Sequence, residues 1–322
     1  MNTENNSPRN DDSDIGWEKD LVHKLAFAAL KEQRKARRWS IFFKLAILLY
    51  ITVLIFLFMS GNTANKAGIP SGDHTAIVEL VGVIDSDSDA SADVIISGMR
   101  EAMKSSSSKA LIIRANSPGG SPVQADYMYK EIQRLRAEYP DKPIYSVITD
   151  VCASACYYII SATDKIFANE ASMVGSIGVL IDSFGFVGTM EKFGIERRLY
   201  TAGKNKGTLD PFSPEQPEDV AHINKMLDEV HLQFINAVKA GRGDRLKITD
   251  ETFSGLFWTG ERAKNMGLID DFASSGKVAR ELVGEEELVD YTPSQDVLDR
   301  FFDRLGMSIS SSFFTQIQPS LK

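Results

Sequence analysis

The longest apolar run in the chain is Ile41–Met59, IFFKLAILLYITVLIFLFM, with Lys44 as its only charge. At 1.5 Å per residue it covers roughly 28 Å as a helix, close to the thickness of a bilayer's hydrocarbon core, and it predicts one transmembrane helix. Lys44 lies near one end, where its stem can snorkel to the interface. Immediately upstream stand Lys24, Lys31, Arg34, Lys35, Arg37 and Arg38 against Glu32, whereas only Lys66 follows the run before Asp73. That asymmetry predicts a cytoplasmic N-terminus and places everything after Ser60 outside the cytoplasm. A cleaved signal peptide and a buried core helix are the alternatives. A signal peptide carries its apolar region nearer the start, and no A-x-A site follows Met59.

Beyond the run, the periodicity switches repeatedly between strand and helix, the pattern of an α/β domain. Strand-like stretches are Thr75–Ile84, Ala110–Arg114, Pro143–Thr149, Val174–Ile181, Arg197–Tyr200 and Leu268–Phe272. Helical spacing marks Ala92–Met103, Pro122–Tyr139, Ala153–Ala162 and Gly260–Met266. In the long helix Pro214–Ala240, the residues Val220, Ile223, Leu227, Val230, Phe234 and Val238 form one apolar stripe. No internal repeat is present, so one catalytic domain is expected. The organisation is a cytoplasmic tail with a basic juxtamembrane segment (1–40), the membrane helix (41–59), a linker (60–73), the α/β domain (74–285) and a C-terminal extension (286–322). Residues 1–20 are polar and acidic and are expected to be unordered.

Composition narrows the partners. Of 322 residues 43% are hydrophobic and 25% charged, enough for a sizeable core. A net charge of −8 disfavours nucleic acid, whose phosphates need a basic face. Cys152 and Cys156 are the two cysteines, so no disulfide framework holds the fold. A bridge between positions i and i+4 of one helix fits poorly, and the pair is expected to be two small buried residues. No histidine stands at metal-ligand spacing from them, and neither a metal nor a cofactor is expected.

Two segments carry candidate chemistry. Asn116–Ser121, NSPGGS, follows a strand, and its two glycines allow close backbone approach and amides aimed at an oxyanion. A plain strand-to-helix turn is the alternative. In Asp150–Tyr158, DVCASACYY, Ser154 lies between Ala153 and Ala155 where a strand gives way to a helix. It could be a nucleophile whose following N–H also serves an oxyanion, or a helix-capping serine. Together the two segments occupy successive strand ends, where α/β sheets place their ligands. A serine nucleophile needs a base. His23 falls on the cytoplasmic side, His74 at the linker end, His222 opposite the apolar stripe and His231 at its flank, so none accompanies Ser154. A Ser-Lys pair is the remaining form of that chemistry, with Lys165, Lys192, Lys204 and Lys206 as candidates that spacing alone does not separate.

NSPGGS, ASACYY, GSIGV at Gly175–Val179, GKNKG with Pro211–Phe212, and WTGERAKNMGLID at Trp258–Asp270 come in one order, and over roughly residues 75–275 the chain resembles the signal peptide peptidase A family. The resemblance implies a ClpP/crotonase-like fold. It implies Ser154 as nucleophile, Lys206 as general base, Ser176 as the lysine's hydrogen-bond partner, and backbone amides at Gly119, Gly120 and Ala155 as the oxyanion hole. It further implies peptide substrates, such as hydrophobic signal-peptide remnants, and homo-oligomeric rings at the bacterial inner membrane. The chain departs from the family at Cys152 and Cys156, where small residues or glycine are usual, and at Asn205, where an aromatic or histidine is usual. The rival functions are a crotonase-type acyl-CoA enzyme and a catalytically silent membrane scaffold.

Overall fold

The computed structural model describes residues 14–63 and 72–293, and the chain divides into two units, residues 1–69 and 70–322. The chain before Asp14, most of the linker and the chain beyond 293 lie outside the described residues, whereas Asp14–Asp20, expected to be unordered, are helical. Among the described residues the first unit holds one helix, α1 (Asp14–Thr63), uninterrupted because no glycine or proline occurs between Trp17 and Ser60. It absorbs the juxtamembrane segment and the predicted membrane run. The large apolar side chains described between Ile41 and Leu54 are exposed. Among the described residues no helix is long and apolar enough to cross a membrane, and the side chains at the end of the predicted run lie outside them.

The second unit is a mixed α/β fold around an eight-stranded sheet. Its strands are β1 (His74–Val81), β2 (Ser108–Ser117), β3 (Ile144–Ala153), β4 (Lys165–Ala168), β5 (Met173–Gly175), β6 (Phe257–Thr259), β7 (Asp271–Phe272) and β8 (Leu288–Asp290). The main path runs β6-β5-β3-β2-β1-β8, with β4 joining β3 to β7, and every pairing is parallel except β5 with β6. The helices are α2 (Ala92–Lys104), α3 (Pro122–Glu138), α4 (Ala155–Ile160), α5 (Val187–Lys192), α6 (Pro217–Arg242), α7 (Gly260–Asn265) and α8 (Ser275–Val278).

Alternation along the strands divides the core. Ala76, Val78 and Leu80 of β1 and Leu111, Ile113 and Ala115 of β2 join the large cluster with α2, α3 and α4, whereas Ile77 and Ile112 point to a small second cluster with Val147, Phe167 and Val278. Two large buried polar side chains of the core are tied off. Tyr157 Oη donates to Leu268 O (2.8 Å), and the fully buried Arg242 donates to both carboxylate oxygens of Asp270 (2.8 and 3.0 Å) and to Gly267 O. Burial pushes the Tyr157 hydroxyl's pKa up and keeps it a donor.

Several expectations change. The strand expected over Val174–Ile181 stops at Gly175, because Gly175 (φ 116°) and Ser176 (φ 51°) turn into the left-handed region. Arg197–Tyr200 lies in no strand; it belongs to an irregular, exposed arm between β5 and α6, with α5 its one helix. β3 runs on to Ala153, and β8 is a further strand beside β1. His74 is buried in β1, its ring nitrogens within 2.9 Å of Gly72 O and Tyr291 Oη, so it is a structural group and no linker residue. His231 sits at the core edge against Ile177 O (3.1 Å). The α6 stripe is buried only from Phe234; Val220 is exposed and Ile223 and Leu227 half-buried.

Candidate active site

Ser154 sits between the end of β3 and the start of α4, half-buried, with φ 53° and ψ −125°. A non-glycine residue in that region costs about 1–3 kcal/mol and persists only where its surroundings hold it. Three contacts do so. The Ser154 N–H donates to Gly175 O (2.9 Å), its carbonyl accepts from Tyr158 N–H (3.0 Å), and the glycine turn of β2 packs against it. A Cβ at Gly119 would lie 2.7 Å from Ser154 Cβ and 3.2 Å from Ala155 N, so only glycine lets the two turns meet. Gly120 is pressed against the Ile84 backbone, and the loop is sewn there by Ile84 N–H to Gly119 O (2.9 Å) and Ser121 N–H to Ile84 O (2.8 Å).

Both turns depend on an irregularity between β2 and β3. The register passes from Ala115↔Ile148 to Ser117↔Cys152, leaving extra residues on β3. Side chains fill the broken ladder: Thr149 Oγ1 donates to Ala115 O, Val151 N–H donates to Asn116 Oδ1, and Asn116 Nδ2 donates to Asp150 Oδ2 (3.1 Å). Ser117 Oγ accepts from Gly119 N–H (3.1 Å), which commits one of the three amides expected at the oxyanion to the turn itself. These supporting residues escape sequence reasoning because their partners are set by strand register. One turn of helix beyond Ser154, Tyr158 Oη donates to Asp126 Oδ1 (3.3 Å), and burial with the Asp126 charge raises its pKa to about 12.

The two cysteines differ from expectation. They are fully buried as foreseen, but they are bonded to each other, with Cα atoms 5.2 Å apart. They do not share a helix: Cys152 belongs to β3 and Cys156 to the first turn of α4, and the reversal at Ser154 folds one back on the other.

Of the remaining predicted site residues, Ser176 is brought to the same place. It follows Gly175, whose carbonyl takes the Ser154 N–H, and its own N–H donates to Leu256 O (2.7 Å). Lys206 is not. It lies exposed in the turn 203–208 of the arm, and among the described residues its ammonium has no hydrogen bond to Ser154 or Ser176. Lys204 is also exposed and pairs with Glu218 (3.0 Å). The arm carries apolar side chains into the open, Leu180, Phe184 and Phe193 at about three-quarters exposure and Tyr200 at 89%. Among the described residues no group of His, Cys, Asp or Glu is arranged to hold a metal.

Comparison with known proteins gives a consistent picture. Residues 136–288 match the sequence profile of peptidase family S49. A Brucella melitensis protein named Na(+)/H(+) antiporter NhaA is 42% identical over 213 residues, 66% of this chain but 29% of that protein. A chain named as a candidate signal peptide peptidase SppA from Enterococcus faecium is 31% identical over 184 residues (57% of this chain, 53% of that one). Protease 4 of Haemophilus influenzae is 28% identical over 274 residues, covering 83% of this chain and 42% of its own. The chain thus spans less than two thirds of the length of each of these relatives. Residues 136–288, Ser154 among them, thus resemble peptidase family S49, and the chain is similar to signal peptide peptidase A-like proteins.

Proposed function

We propose that this chain is a membrane-anchored serine peptidase of ClpP/crotonase-like fold that uses a Ser154–Lys206 dyad. The observation that carries the reading is the meeting of two turns: a serine held at positive φ at the head of α4, and a glycine turn packed on it. Neutral Lys206 takes the Ser154 proton, the alkoxide attacks a peptide carbonyl, and the oxyanion is held by the N–H groups of Gly120 and Ala155, the latter in a first helical turn with no intrahelical acceptor. Protonated Lys206, oriented by Ser176, then gives its proton to the leaving amine as the C–N bond breaks, and water hydrolyses the acyl-enzyme ester.

A lysine acts as base only when dehydrated, yet Lys206 is exposed in the single chain. The exposed apolar arm and the uncovered first half of the α6 stripe favour self-association, in which the lysine of one copy meets the serine of the next. The apolar rim of Val81, Val83, Val123 and Tyr127 beside the glycine turn suits hydrophobic peptides, and the name of the Enterococcus relative supports signal-peptide remnants as substrates. Anchoring rests on the exposed apolar residues of α1 and the basic cluster before them, and a disulfide suits the oxidising side of a bacterial inner membrane.

The test mixes Ser154→Ala chains with Lys206→Ala chains, each inactive alone. In fully exchanged oligomers about a quarter of the sites would pair an intact serine with an intact lysine, so activity should return to about that share. No recovery in oligomers verified as mixed would refute the shared site, and an active Ser154→Ala chain would refute the nucleophile.

A further inference from the structure

We propose that the Cys152–Cys156 bridge is a redox-sensitive positioning device for the nucleophile, so that the reactivity of Ser154 depends on the oxidation state of this pair. The inference rests on the reading of Ser154 as nucleophile given above. The bridge closes a five-residue ring, Cys152 to Cys156, with Ser154 at its centre. One end is fixed in the sheet, where Cys152 is in register with Ser117 of β2 and Val174 of β5. The other end is the buried first turn of α4. Both cysteines are fully buried in the main core, whereas Ala153 and Ser154 between them are half-buried.

Reduction opens that ring. A thiolate of a dithiol reductant attacks one sulfur, the Cys152–Cys156 bond breaks, and the reductant's second thiolate displaces the mixed disulfide. Two electrons and two protons end on the cysteines as thiols, and the reductant leaves as a cyclic disulfide. Breaking the bond removes the covalent tie between β3 and α4, and the segment held inside the ring, Ala153, Ser154 and Ala155, is then free to shift. Gly119 packs on that same turn, so movement there alters both the serine and the amide of Ala155. A displacement near 1 Å of a reacting group lowers a rate by up to about a hundredfold.

The experiment measures the rate at which a fluorophosphonate probe labels the full-length chain, with the labelled residue mapped by mass spectrometry. It is run on the oxidised chain, on the chain held in dithiothreitol, and on the chain reoxidised with oxidised glutathione. The thiol count comes from iodoacetamide trapping in denaturant. Labelling of Ser154 should slow at least about tenfold when both thiols are free, and recover on reoxidation. Peptide hydrolysis should fall in kcat with KM little changed. The Cys152→Ala/Cys156→Ala chain should label at one rate with and without dithiothreitol, whatever that rate is. Equal labelling of Ser154 in the oxidised and fully reduced wild type overturns the proposal while leaving the nucleophile standing. So does a reductant effect that persists in the double variant. A probe that never reaches Ser154 in the oxidised chain overturns the nucleophile reading, and with it the role of the bridge.

Discussion

Replacing Gly119 by alanine tests whether the glycine turn and the Ser154 turn act as one machine. The added Cβ would stand 2.7 Å from Ser154 Cβ and 2.9 Å from Ala153 O, against an ordinary contact near 3.4 Å. One of the two turns must therefore retreat by about 0.7 Å, and neither offers a flexible side-chain end that could yield. Gly119 also has φ 111°, where an L side chain adds about 1–3 kcal/mol of strain. The strain should lower the melting temperature by about 2–4 °C per kcal/mol, a tolerable loss for a domain of this size. The catalytic loss should be much larger, because the retreat separates the proposed oxyanion amides from Ser154. We expect kcat for a fluorogenic apolar peptide to fall about a hundredfold, with KM little altered. Gly276→Ala is the control, since a Cβ there meets nothing within 4 Å. A folded Gly119→Ala enzyme retaining more than about a third of the wild-type kcat would refute the argument that these turns jointly form the site.

Two further outcomes are expected. Lys206→Ala should abolish peptide hydrolysis, whereas Lys204→Ala, which loses only an exposed pair with Glu218, should stay within about twofold of wild type; similar losses from both would refute Lys206 as the base. Glu131 reports on pH: hydrogen bonds from Arg134, opposed by burial and reinforced by Arg100, hold its carboxyl at about 2. Because the folded-state value is depressed, its stabilisation is present above about pH 4.5 and is lost as pH falls towards 2; Glu131→Gln should remove about 1–2 kcal/mol at neutral pH and flatten that acid limb in denaturant melts, and an unchanged limb would refute the assignment.

Much of this protein is legible in its sequence because it depends on local patterns. The strand and helix periodicities placed β1, β2, α2, α3 and the body of α6 to within a few residues, since each carries a regular apolar face, although α6 buries its own only from Phe234. The turns at Asn116–Ser121 and around Ser154 announce themselves through glycine, proline and small neighbours, which the backbone geometry demands. The tertiary structure alone decides whatever depends on register between distant strands. The irregularity between β2 and β3 recruits Thr149, Asn116 and Asp150, and no local pattern tells which groups they bond. β8 is too short to signal itself and exists only through pairing with β1. His74 looks like the end of a linker until Tyr291, 217 residues on, closes over it. The cysteines look unable to bond when placed on one helix, and bond because Ser154 reverses the chain between them. Lys206 marks the remaining boundary: resemblance to a family motif names it, but its place in the fold is an exposed turn, because burial depends on what packs against that turn and not on the residues within it.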